Sequence, residues 1–164
     1  MSSPAAMDIL PAHVKTVLPT SGGAAVFLET EEKVFVIYMD HAMGAAITMQ
    51  MRDVPKERPL THDLIGSLLE GFGARASRVI VNEFREDIFF ARLILEAENE
   101  LLGHQIIELD ARPSDAITIA TQQSAPLFVT RQVLDAVEDM THILEEMKNR
   151  GFQVDEDAGP PDAP

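Results

Sequence analysis

The chain of 164 residues contains no cysteine and no tryptophan, and its aromatics are eight phenylalanines and one tyrosine. Without cysteine there is no disulfide framework, no zinc knuckle and no thiolate nucleophile. No apolar run reaches the length of a membrane span, and the first residues lack the basic-then-apolar pattern of a secretory segment. These absences lead us to expect a cytoplasmic protein with no membrane association. Basic residues are scarce as well: 13 Lys and Arg stand against 27 Asp and Glu, a formal charge of −14. Four of the acids (Asp155, Glu156, Asp157 and Asp162) lie in residues 153–164, so the rest of the chain still carries about −10. Sequence-independent nucleic-acid binders usually show a basic stripe, and none is present. The nearest approach is Arg52-Asp53-Val54-Pro55-Lys56-Glu57-Arg58, which on charge patterning reads as a solvated loop. A Gly-rich phosphate loop, a His-x-Glu metal motif and a nucleophile elbow are missing too.

A hydrophobic content of 46% is enough to bury one good core. We expect a single domain over residues 13–152, preceded by a flexible stretch 1–12 and followed by a disordered acidic, Pro-rich tail 153–164. His13–Leu18, Ala25–Glu29 and Val34–Met39 read as strands of an antiparallel meander, with Ser21-Gly22-Gly23 and Glu31-Glu32-Lys33 as its turns. Ala42–Met51 reads as a short apolar helix. Thr61 is placed to cap the next one, with Leu60 and Ile65 as a hydrophobic staple and Gly71 and Gly73 at its end. Arg78–Glu83, Ile88–Ala97 and Gln105–Leu109 then read as strands, Ser114–Gln123 as a helix and Pro126–Val129 as a short buried strand. From Thr130, apolar residues recur at helical spacing through Val133, Leu134, Val137, Met140, Leu144 and Met147, which predicts one helix up to Gly151. Meanders interleaved with helices predict an α+β fold, with helices packed on a largely antiparallel or mixed sheet.

The order of elements repeats. Asp40 and Ala46-Ile47-Thr48 stand 70 residues before Asp110 and Ala116-Ile117-Thr118, which predicts a duplicated unit over roughly 13–73 and 78–150. On that alignment Asp40 superposes on Asp110, and Ala42 and Ala45 occupy the positions of Arg112 and Asp115. Only the second copy carries the charged pair.

That second junction, Ile106-Ile107-Glu108-Leu109-Asp110-Ala111-Arg112-Pro113-Ser114-Asp115-Ala116-Ile117, reads as a buried strand running straight into a helix. Pro113 suits the first helical position, and Asp115 falls in the first turn, where the helix dipole favours an anion. Two readings stay open at this point. Carboxylates a few ångströms apart can hold Mg²⁺ and position a water for phosphodiester attack. Alternatively, Arg112 pairs with Asp110 or Asp115 and merely locks the join. His62 follows the expected cap and would be exposed at a helix start, where a structural role competes with a catalytic one.

Three segments, Arg58-Pro59-Leu60-Thr61-His62-Asp63-Leu64, Asp87-Ile88-Phe89-Phe90-Ala91-Arg92-Leu93 and Asp110-Ala111-Arg112-Pro113-Ser114-Asp115-Ala116-Ile117, resemble the hallmark segments of the bifunctional nuclease domain family. Ala125-Pro126-Leu127-Phe128-Val129 with Val133-Leu134 resembles the family's closing strand and helix, so the likeness runs over about residues 13–138. It implies a cytosolic α+β domain with RNase and DNase activity of low sequence specificity. Under that reading Asp63, Asp110 and Asp115 are candidate metal ligands or base, with Mg or Mn as the ion. Arg112 would stabilise charge developing on phosphorus, and His62 joins the candidate catalytic set. This chain departs from the family pattern at its first junction, where many relatives carry a Gly and a Glu and it offers Asp40 and Met43. The competing reading is a non-catalytic oligomeric or regulatory module, which the net charge favours. The apolar strand Val34–Met39, the nearly all-apolar helix 42–51 and eight methionines predict a homo-oligomer, most simply a two-fold dimer.

Overall fold

The computed structural model describes residues 8–101 and 103–152. The expectations for residues 1–7 and for the acidic tail 153–164 lie outside them. The elements are β1 (Ile9–Thr20), β2 (Gly23–Glu29), β3 (Val34–Met39), α1 (His41–Met51), α2 (Thr61–Gly71), β4 (Ala74–Arg85), β5 (Ile88–Asn99), β6 (Gly103–Ala111), α3 (Pro113–Gln123), β7 (Leu127–Thr130), α4 (Arg131–Ala136) and α5 (Thr141–Asn149). The fold is α+β, as its alternation of meanders and helices requires. No helix among the described residues is long and apolar enough to cross a membrane.

The seven strands form one sheet in the order β3-β2-β1-β7-β4-β5-β6. Every pairing is antiparallel except β4 with β7, where Val79, Ile80 and Val81 face Leu127, Phe128 and Val129. β1 begins at Ile9, earlier than its composition suggests, because residues Ile9–Ala12 pair with β7 before His13–Thr20 pair with β2. The sheet curls enough for Phe35 on β3 to lie 6.3 Å from Phe89 on β5, ring centre to ring centre. α1 packs on β1 and β2, α3 on β4 and β5, and α3 touches both α1 and α2. Val26, Leu28, Phe35, Ile47, Val79, Val81, Leu93, Ile117 and Val129 form the core between sheet and helices. On the opposite face of β1–β3, Leu144 of α5 packs with Leu18, Ala25, Phe27 and Val34. β2 is therefore covered on both faces, which explains its unbroken apolar sequence.

Three expectations need correcting. The helix predicted from Thr130 to Gly151 is two helices, because residues 137–140 leave the helix to serve the free edge of β3. There the Met140 amide donates to the Val34 carbonyl at 2.7 Å and Thr141 Oγ1 accepts from the Val34 amide at 3.2 Å. Asp139 then accepts from the Thr141 amide at 2.9 Å, which restarts the helix. The cap of α2 is Leu60 rather than Thr61, and the Asp63 carboxylate reaches back to accept from the Leu60 amide at 2.7 Å. β6 is not buried: it is the last strand of the sheet, and Ile106 is 66% exposed. The core takes one side of α1, where Gly44, Ala46 and Ile47 are buried and Gly44 sits directly against Ala24, while Ala42 and Ala45 are exposed.

Each half of the chain is a three-stranded meander followed by a helix, but the expected residue matching fails. Asp40 caps α1 by accepting from the Met43 amide at 2.9 Å, whereas Asp110 is still in β6 and the cap of α3 is Arg112. The two junctions are thus offset by two residues from the alignment that the sequence suggests, and duplication is not established.

Candidate functional site

Two helix starts are tied together by side chains from each. α2 begins because Leu60 is extended and Asp63, in the first turn, satisfies its amide. α3 begins because Pro113 occupies the first turn without losing a hydrogen bond. His62 is on the side of α2 that faces α3, only 4% exposed, with Nε2 at 3.0 Å from Asp115 Oδ1. The expected exposure of His62 is corrected by this packing. Asp115 also accepts two hydrogen bonds from Arg112, from Nε at 2.7 Å to Oδ2 and from a terminal nitrogen at 3.2 Å to Oδ1. The result is a chain Arg112–Asp115–His62 that runs from an exposed guanidinium to a buried imidazole.

The charges along it are set by these contacts. The Arg112 hydrogen bonds hold the Asp115 carboxyl below its usual range, burial opposes them, and His62 adds to the lowering. Asp115 in turn strengthens the protonated form of Arg112, and Asp40 at the start of α1 adds to the negative field there. An ionised carboxylate only accepts hydrogen bonds. Nε2 of His62 is therefore the donor in this contact, and in a neutral ring the lone pair would then lie on Nδ1. A carboxylate that fixes a histidine tautomer in this way prepares the opposite nitrogen as a base.

The other predicted residues do not join this chain. Asp63 neighbours His62 in sequence, but its carboxylate is taken by Lys56 Nζ at 2.7 Å and by the Leu60 amide. Burial would raise its pKa, and Lys56 with the Leu60 amide outweighs that and lowers it. Asp110 belongs to the outer face of β6, where it lies across from Arg92 at 3.3 Å. Asp63, Asp110 and Asp115 are thus held by three different cations, and no group of three metal-ligating side chains occurs among the described residues. As arranged here, this donor set does not fit a resident Mg or Mn ion. Lys56 lies in the loop where the sequence reading put it, and what that reading lacked is its pairing with Asp63. Nothing local marks it, because its partner is fixed only when residues 52–60 fold back over the start of α2.

Residues 26–141 match the model of the bifunctional nuclease domain. An uncharacterized protein of Mycobacterium tuberculosis is 34% identical over 98 residues, which is 60% of this chain and 55% of that protein. Bifunctional nuclease 1 of Oryza sativa subsp. indica is 31% identical over 84 residues, 51% of this chain and 24% of the plant protein. The chain thus matches about half the length of the mycobacterial relative and about a quarter of the plant one. The extent of the domain match is decisive: this chain belongs to the bifunctional nuclease domain family.

Proposed function

We propose that this protein hydrolyses phosphodiester bonds in RNA or DNA, with little sequence specificity, at the joined starts of α2 and α3. The observation that carries the reading is the Arg112–Asp115–His62 chain, with its exposed guanidinium. The domain family and the plant nucleases that share it support the same reaction class. Arg112 is the phosphate contact: a guanidinium presents paired donors that match two phosphate oxygens, and its attraction grows as charge develops there. His62 is the general base: its imidazole is buried in the free protein, so substrate binding at Arg112 must uncover Nδ1 before it takes a proton from the attacking water. Asp115 is a positioning residue that orients the imidazole and stabilises the imidazolium once it forms. The net charge of −14 opposes polyanion binding at long range. Short, flexible single strands that approach through one or two phosphates fit that balance better than duplex DNA.

A second reading rests on the same contacts. Arg112, Asp115 and His62 already satisfy one another, which is what a lock between two helices would look like. The two readings separate on an Asp115→Asn variant assayed with highly purified wild type on single-stranded RNA and DNA, with and without Mg²⁺ or Mn²⁺. The nuclease reading expects wild-type cleavage and a large loss of rate in the folded variant. A lock expects no cleavage by either protein, only lower stability in the variant.

A further inference from the structure

β6 ends the sheet, and on its outer edge the backbone groups of alternate residues across Gly103–Ala111 have no strand partner among the described residues. Natural proteins protect such edges with charge, proline, bulges or cover, because a long apolar edge strand is a template for another strand. At the opposite edge, β3 is met at its first residue, Val34, by Met140 and Thr141. β6 has no comparable cover among the described residues. It instead exposes Ile106, Ile107 and Leu109, the last two on the same face as the buried Leu95 and Leu93 with which they pair. A second apolar row ends beside it. Leu64, Leu68 and Phe72 recur every four residues on the flank of α2 turned away from α3, and Phe72 is 76% exposed. That helix closes against β5, where the Gly73 carbonyl accepts from the amide of Glu98, the residue paired to His104 at the start of β6.

We propose that β6 pairs antiparallel with β6 of a second copy of this chain, about a two-fold axis through Ile107, extending the two sheets into one. The occupant is a second copy because one register sets the apolar centre of the strand, Ile107, against itself and brings an acid to its one histidine. With Ile107 on the axis, the partner's Ile107 lies opposite, Leu109 faces the partner's Gln105, and Ile106 faces the partner's Glu108. Asp110 faces the partner's His104, so the one basic side chain of the strand meets an acid across the axis. The register places like faces together, as a two-fold antiparallel pair must. The exposed apolar side chains of β6 and α2 amount to on the order of 600 Å² per chain, approaching the roughly 800 Å² per partner of a standard interface. The oligomer expected from sequence thus forms through β6 and α2, rather than through β3 and α1.

The test uses the full chain and exploits its lack of cysteine. Sedimentation at micromolar concentration should give twice the chain mass of 18.0 kDa. Ile107→Glu sets two like charges against each other on the axis, and should give a monomer that keeps the wild-type circular dichroism. Ile107→Cys should form an intermolecular disulfide under a mild oxidant, whereas Tyr38→Cys on β3 should not. Should Ile107→Glu fail to fold, the two cysteine variants decide the matter. A wild-type monomer throughout this range overturns the proposal and leaves the edge to a strand of some other protein. A dimer that survives Ile107→Glu, or that cross-links through Tyr38→Cys and not Ile107→Cys, overturns it as well.

Discussion

His62 and Asp115 are 53 positions apart in the chain and 3.0 Å apart in the fold, and their contact joins the first turns of α2 and α3. The helices contribute one side chain each, and the Arg112 guanidinium closes the group on its exposed side. Most of what can be tested about this protein follows from that bond.

The bond should make stability depend on pH in a defined direction. The folded pKa of Asp115 is lowered from its ordinary value of 3.8. A depressed carboxylate contributes stability that is fully present above its unfolded pKa and is lost as pH falls through the folded one. Urea unfolding of wild type and Asp115→Asn should therefore show a gap at pH 7 that narrows on acidification below about pH 4. A gap that is constant or widens toward acid would mean that Asp115 is not held as an ionised partner.

Gly44 offers a test in the core. Glycine in a helix interior is about 1 kcal/mol worse than alanine, so Gly44→Ala should stabilise α1 if propensity decides. A Cβ at this position, however, would collide with the Cβ of Ala24, which hangs directly from the β2 backbone and has no rotamer to yield. Overpacking of this kind costs about 1–3 kcal/mol. We expect Gly44→Ala to be destabilising by about 1 kcal/mol net in urea unfolding, and a more stable variant would show that α1 sits farther from β2.

Divalent ions provide a third check. A ligand that binds the folded state raises its melting temperature, by an amount set by concentration over Kd. With Asp63, Asp110 and Asp115 held by separate cations, millimolar Mg²⁺ or a chelator should leave the melting temperature of the protein alone unchanged within a degree or so. A rise of several degrees with Mg²⁺, abolished in Asp115→Asn, would show that these carboxylates can gather around an ion.

Much of the architecture is legible in the residues, and the misreadings share a cause. β2 and β3 announce themselves by apolar runs between turn signals. α1 and α3 are announced by Asp40 and Pro113 at their starts. The break between α4 and α5 is invisible locally because Val137 and Met140 keep the helical period, and only β3, a hundred residues away, draws the chain aside. β6 reads as buried since Ile106, Ile107 and Leu109 are apolar, yet being last in the sheet depends on the other six strands. At the site, Asp115 is readable as a first-turn acid and Arg112 as its neighbour. Strand alternation could have removed Asp110, since it shares a face with Glu108, not with Leu109. The partnership of His62 with Asp115 has no local signal at all, because it depends on how α2 lies against α3.

The most direct test of the account is the cleavage rate of His62→Gln on single-stranded RNA at neutral pH. Glutamine keeps a donor toward Asp115 and nearly the same volume, so the fold and the α2–α3 contact should survive. It has no group that can take a proton. If His62 is the base, the folded variant should lose about 10²–10⁴-fold in rate, the usual worth of a positioned base, with little change in KM. A folded His62→Gln protein that cleaves RNA at the wild-type rate would contradict the account and assign the Arg112–Asp115–His62 chain to holding two helices together.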